Sequence, residues 1–234
     1  MGSEWDTLVR DDATALIVPM PDPIVWPRAV EGMEMPPDEP SLLGFDEEHH
    51  IYTIDGVRIP SVTTIINGLV DYSMIPPLQL KWAADRGSAA HRAIELWDHH
   101  VLDVLALDER LAPYLDAWRV FCRESGWQTL RSEVRIYHPL YRYCGTLDKV
   151  GNLPGEPLGI LDIKTTSVLH KDYCAIQTVG YQRAYNEANE ERAKRRYALQ
   201  LRPDGRYQLE EFTQHLGDWQ RFREHLARYT GGSK

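Results

Sequence analysis

Two β runs each carry one acid among apolar neighbours, and they set the terms for the rest of the chain: Tyr141–Val150 with Asp148, and Leu158–Thr165 with Asp162. The acids stand fourteen positions apart, and Gly151–Pro157 between the runs is rich in turn formers. If the runs pair antiparallel, Asp148 and Asp162 come side by side on one face. Strand alternation in Asp162-Ile163-Lys164 keeps Asp162 and Lys164 on that face and turns Ile163 to the other. Two carboxylates so placed repel unless a cation joins them, and hard oxygen ligands suit Mg²⁺ or Mn²⁺. A lysine beside them orients a water or a phosphate oxygen, or deprotonates the nucleophile. That is equipment for hydrolysing a phosphodiester. An Asp-x-Lys standing alone reads as an edge-strand ion pair.

The surroundings supply further groups. His50–Ile54 and Val57–Ile59 flank Asp55-Gly56, a hairpin signal, and Ser61 or Thr63 can cap a short helix after it. Pro76-Pro77 opens a helix expected to reach about Leu102. On it His91 and Glu95, four apart, share a face: the imidazole is a metal ligand, and Glu95 orients it or meets the metal through water. Gly87, Ser88, Ala89 and Ala90 permit close approach of a strand or of DNA. Asp108 to about Ser125 is a second helix, and Thr129–His138 a strand before the acid-bearing pair. Asp172 to about Glu190 is a third helix, with Gln177 and Tyr181 on one face. Arg195–Leu201 and Arg206–Phe212 form a hairpin, and Asp218–Tyr229 closes the chain as an amphipathic helix. The fold class is α/β: a central mixed β-sheet flanked by helices.

Composition bears on the partners. Of 234 residues, the first 50 carry 12 acidic and two basic side chains, and the remainder is nearly neutral at +1. Seven prolines between Pro19 and Pro40 block regular structure there. Residues 1–44 are therefore expected as an acidic, Pro-rich arm and residues 45–234 as the folded domain. The arm is either a solvated tail or a strap, with Ala15–Val18 and Ile24–Trp26 as its apolar islands. The net charge of −9 excludes a uniformly cationic coat but not a local basic channel. Arg192, Lys194, Arg195, Arg196, Arg202 and Arg206 offer one basic run. Arg86, Arg92, Arg131, Arg135 and Arg142, with Tyr137, Tyr141 and Tyr143, offer a second set near the site motifs. Both runs also read as ordinary solvated arginines. No apolar stretch reaches membrane-span length and no leader pattern opens the chain, so a cytoplasmic protein is expected. Three scattered cysteines, Cys122, Cys144 and Cys174, suit reduced thiols.

The order Gly-x-x-x-His91-x-x-x-Glu95, Glu133 in a strand, Gly-Thr-Leu-Asp148, Asp162-Ile-Lys164-Thr and Gln177-x-x-x-Tyr181 resembles the RecB-like branch of the PD-(D/E)XK nuclease superfamily, notably its phage-type exonucleases. Pro60-Ser61-Val62-Thr63 fits the same branch, and the likeness covers roughly residues 45–212. The resemblance implies a restriction-endonuclease-like core in which His91, Asp148, Asp162 and the Ile163 carbonyl hold Mg²⁺ or Mn²⁺. Lys164 is then the catalytic lysine, and Gln177 and Tyr181 support the site and touch DNA. Glu133 shapes the site as a lesser candidate. Ser61, Thr63 and Arg86 are candidate substrate contacts, with Glu95 beside them. An iron–sulfur cluster, present in some related nucleases, needs four thiolates and is not expected. No Walker sequence is present. The expected activity is a metal-dependent DNA exonuclease in end processing, recombination or repair, with DNA and a recombination protein as partners. A structure-specific or restriction-like endonuclease and an inactive DNA- or partner-binding module are the alternatives.

Overall fold

The computed structural model describes residues 21–35, 43–46 and 49–231, so the Ala15–Val18 island lies outside the described residues. A small sheet comes first. Strands β1 (Gly44–Asp46), β2 (Ile51–Ile54) and β3 (Val57–Ile59) pair antiparallel in that order. Asp55 and Gly56 both take positive φ, 50° and 75°, which matches a two-residue turn to the strand twist. Ser61 caps the short helix α1 (Val62–Ile65), its Oγ accepting from the Thr64 N–H at 3.1 Å.

Helix α2 (Pro77–Asp98) starts on proline and stops four residues before the expected Leu102. His100 turns left-handed there (φ 58°), and the Leu96 carbonyl accepts from both Val101 and Leu102. Helix α3 (Ala112–Ser125) starts four residues after the expected Asp108, whose carboxylate is taken by Arg110 instead. Gly126, at φ 70°, ends it.

The main sheet has five strands in the order β4 (Gln128–His138), β5 (Tyr143–Asn152), β6 (Gly159–Lys164), β7 (Arg195–Leu201) and β8 (Tyr207–Glu211). All neighbours are antiparallel except β6 and β7, which run parallel because α4 (Lys171–Ala188) carries the chain back between them. This is an α/β fold with a mixed sheet between helices. On one face α2 and α3 bury Leu161, Ile163, Leu199 and Leu201; on the other α1, α4 and α5 (His215–Gly231) bury Leu147, Val150 and Ile160. Alternation in β6 therefore sends Leu161 and Ile163 to one core and Ile160, Asp162 and Lys164 toward the other.

Residues 21–35 lie along the α2–α3 side. Ile24 is buried, Val30 donates to the Val101 carbonyl at 2.8 Å, and Arg110 donates to the Asp22 and Pro23 carbonyls at 2.7 and 2.9 Å. Val25 and Trp26 face solvent. Among the described residues no helix is long and apolar enough to cross a membrane.

Candidate metal centre

The sheet register brings three acids into one row. On β4 and β5 the pairs Ser132↔Lys149 and Val134↔Leu147 bracket Glu133 and Asp148. On β5 and β6 the ladder runs to Lys149↔Leu161, and Asp148 and Asp162 come next. There the strands stop exchanging backbone bonds, and the Ile163 N–H donates to Asp148 Oδ2 at 2.6 Å. Glu133 has φ 48°, a left-handed backbone that a non-glycine residue adopts only where its surroundings hold it. From α2, His91 Nδ1 comes within 3.5 Å of Asp148 Oδ1. One ligand atom each from His91, Glu133 and Asp148 lies within 4.8 Å of the others.

Asp162 adjoins this group and is 3% exposed. Its Oδ2 lies 2.6 Å from Lys164 Nζ, yet that oxygen is buried without a well-directed hydrogen bond. The Lys164 ammonium stands 5.9 Å from the Tyr173 ring. Several carboxylates and an imidazole crowded out of water shift one another. Burial, then the Asp148 charge, pushes Glu133 up to about 8, against the pull of His91. Burial would lower His91, but the Asp148 and Glu133 carboxylates override it and raise it to about 9. Burial raises Asp162 to about 6, Asp148 adds to this, and Lys164 offsets only part. Asp148 moves the other way: burial is outweighed by His91, Lys164 and the Ile163 N–H, and it stays below the usual carboxylate value. Burial works against the Lys164 charge, but Asp162 prevails and holds its pKa above the ordinary lysine value. The lysine is therefore an ammonium at neutral pH, fitted to donate hydrogen bonds and to oppose negative charge. An imidazole nitrogen and carboxylate oxygens converging at a partly buried point, with the undirected Asp162 oxygen beside them, form a donor set that fits a divalent cation.

The remaining candidates divide. Gln177 and Tyr181 are both buried on α4; Gln177 Nε2 donates to Tyr181 Oη at 3.2 Å, and Gln177 Oε1 has no partner. Gly145 lets the Tyr181 ring lie on β5, since a Cβ there would come within 2.9 Å of it. Arg86 ties α2 to the end of β6 through the Thr165 carbonyl (3.2 Å) and packs over Trp82 and Tyr114. The small residues beside it serve the strand: Gly87 faces Thr165. Glu95 binds Arg92 at 2.6 Å and stands outside the ligand group. The Ser61 hydroxyl is engaged locally with Thr63 and Thr64 at 2.8 and 2.9 Å.

The basic run at 192–206 forms no continuous stripe. Arg196 is wholly buried and paired with Asp218 at 2.7 Å, Arg195 bridges Glu156 and Glu211, and Arg206 pairs with Asp204. Tyr143 is likewise internal, its hydroxyl donating to the Gly180 carbonyl at 2.9 Å. The reason is position. For Arg196 it is that β7 is an inner strand buried on both faces from Arg196 onward, so alternation does not return that side chain to solvent.

One participant carried no expectation. Lys149, next to Asp148, is 1% exposed and donates to Asp98 and Ser132. Its signal was a lysine in a strand buried along most of its length, where a buried charge requires a partner.

No protein-family model matches the chain, and no curated protein matches it. Nineteen solved chains do match. Among them is one titled "Crystal structure of SSO0001", 15% identical, spanning 64% of this chain and 67% of that one, with a TM-score of 0.31. The functional reading therefore rests on the residues themselves.

Proposed function

We propose that this chain is a divalent-metal-dependent deoxyribonuclease, an exonuclease working from DNA ends, of the RecB-like PD-(D/E)XK kind that its motifs resemble. The observation that carries the reading is the convergence of His91, Glu133 and Asp148 ligand atoms within 4.8 Å, with the Asp162–Lys164 pair on the next strand. His91, Glu133 and Asp148 would hold Mg²⁺ or Mn²⁺, and the resemblance adds Asp162 and the Ile163 carbonyl. When bound, such an ion polarises a phosphodiester oxygen and acidifies a water.

The chain's own groups do the rest. Asp162 holds the Lys164 ammonium beside the row of acids, where it donates to a phosphate oxygen or orients the attacking water. Gln177, with an unpartnered buried oxygen, steadies Tyr181 against β5. The connections near the row are short: four residues join β4 to β5 and six join β5 to β6. That leaves little material for reading bases and favours end-directed cutting over sequence-specific cutting.

The test is end-labelled linear DNA and covalently closed circular DNA, each incubated with Mg²⁺ or Mn²⁺. Linear DNA is expected to be digested and the circle to persist. Asp162→Ala and Lys164→Ala should each lower the rate at least about 10²-fold. Lys164→Ala keeps its Mn²⁺ affinity, since an ammonium is not a ligand. Cutting of the circle would make the protein an endonuclease. Equal cutting by wild type and Asp162→Ala would place the activity elsewhere, and no cutting of either DNA would leave a binding module.

A further inference from the structure

We infer that Lys149 is a positioning residue for the His91–Glu133–Asp148 cluster, setting the separation between the helix and the two strands that carry its ligands. The inference rests on reading that cluster as a metal site, and it assigns a task to residues that touch no metal.

Each element that supplies a ligand also supplies one group to a second, buried junction. On β5, Lys149 follows Asp148. On β4, Ser132 precedes Glu133 and is the register partner of Lys149. On α2, Asp98 lies seven residues after His91, two helical turns along the same face and about 10 Å down the axis. Lys149 Nζ joins all three, donating to Asp98 Oδ2 at 2.6 Å and to Ser132 Oγ at 2.9 Å. The junction is closed: Asp98 Oδ1 accepts from Trp118 Nε1 at 2.8 Å, which brings in α3, and the ammonium lies 5.4 Å from the Trp118 ring.

Apolar packing also presses α2 onto the sheet, with Ala89, Ala90, Ile94 and Leu96 in the core that holds Leu161 and Ile163, but it sets no polar link between the ligand-bearing backbones. The His91 ring meets Asp148 at 3.5 Å, an interaction between two groups that must both change partners when a cation arrives. The Lys149–Asp98 bond is shorter, drier and independent of that event. A charge pair 1% exposed on the lysine side is costly to desolvate and adds little net stability compared with packed hydrocarbon. What hydrocarbon lacks is a fixed length and direction. The pair holds three backbones at a set spacing one residue away from two ligands and two turns away from the third.

The experiment uses the full chain and Mn²⁺ alone. Binding is measured by titration calorimetry, and folding by circular dichroism and melting temperature in EDTA. The variants are Lys149→Met and the double substitution Asp98→Leu/Lys149→Met, which leaves no charge stranded. Wild type binds Mn²⁺. Both variants are expected to bind it about 10- to 100-fold more weakly. The double variant is expected to melt at or above the wild-type temperature. A general loss of structure would lower the melting temperature along with the affinity; a positioning role separates the two in the double variant. Wild-type Mn²⁺ affinity in the folded double variant would overturn the inference and leave the metal site standing. Absence of Mn²⁺ binding in wild type would overturn the metal reading itself, and the inference with it.

Discussion

Without a cation, protons hold the acidic row together. Glu133, raised to about 8, is neutral at pH 7, and His91, raised to about 9, is charged. A ligand must be deprotonated to bind a metal, so loading at pH 7 should release roughly one to two protons per ion. Calorimetry in buffers of differing ionisation enthalpy counts them; zero at pH 7 would refute the assigned protonation. The same shifts fix a stability trend. Both folded-state values lie above the unfolded ones, so each contribution is whole below the unfolded value and is lost as pH rises through about 8 and about 9. The melting temperature in EDTA should therefore fall from pH 6 to 9, by about 2–4 °C for each kcal/mol lost. Glu133→Gln should flatten that slope. Asp148, Asp162 and Lys164 were legible because period-2 alternation and one turn suffice to place them together. The position of Glu133 beside Asp148 was harder to read because its left-handed backbone breaks the alternation that would have assigned its face. Glu95, which shares a face with His91, pairs with Arg92 because helical spacing also put Arg92 within its reach.

Most strands and helices were readable within a few residues, since caps, prolines and apolar periods mark their ends. What the pattern does not mark is which charged side chain turns inward. Arg196 belonged to a basic run read either as a nucleic-acid path or as solvated arginines, and instead it is buried and anchors α5. Its guanidinium meets Asp218 at 2.7 Å, the Ala175 carbonyl at 2.8 Å and His215 Nδ1 at 3.3 Å, with the residue wholly buried. Burial pulls this guanidinium below its ordinary pKa, though Asp218 counteracts it. Asp218→Ala strands that charge and should cost about 3–5 kcal/mol, lowering the melting temperature by roughly 10 °C in a chain this long. The double change Arg196→Met/Asp218→Leu should recover most of that loss, because hydrocarbon of similar volume replaces a buried pair at little cost. A thermal scan of the single and double variants decides it. An equal loss in both would trace the effect to packing, for instance of Phe222 against Gly180, where a Cβ would come within 2.8 Å of the ring.

The molecule as a whole pairs a nearly neutral body with an acidic, proline-rich leading segment. Composition alone left that segment as either tail or strap. The physical reason is that its anchors lie in the body, 83 to 88 positions away. Arg110 donates to the Asp22 and Pro23 carbonyls and to Asp108, while the other Asp108 bonds include the Val25 N–H at 2.9 Å. Backbone carbonyls and N–H groups are the partners, so no residue type in the segment announces the attachment. Arg110 holds the Asp108 carboxyl, which is 4% exposed, well below the usual carboxylate range. That contribution is present above about pH 4 and lost on acidification. Arg110→Ala removes the donor common to these contacts and leaves Asp108 facing the core edge. Hydrogen bonds to charged groups are worth about 1.5–3 kcal/mol each, and Arg110 is partly solvated, so a local loss of about 1–3 kcal/mol is expected. Opening should be confined to residues 22–30, whose hydrogen bonds run to Trp82, Val101, Asp103, Asp108 and Arg110. Trypsin then cuts after Arg28 about tenfold faster in Arg110→Ala at neutral pH, with circular dichroism unchanged. Because the Asp108 carboxyl is held well below the usual range, wild type should keep most of its protection at pH 3, as assayed with an acid-active protease. Cleavage at the wild-type rate in Arg110→Ala would mean that Ile24, buried against α2 and α3, holds the strap by itself.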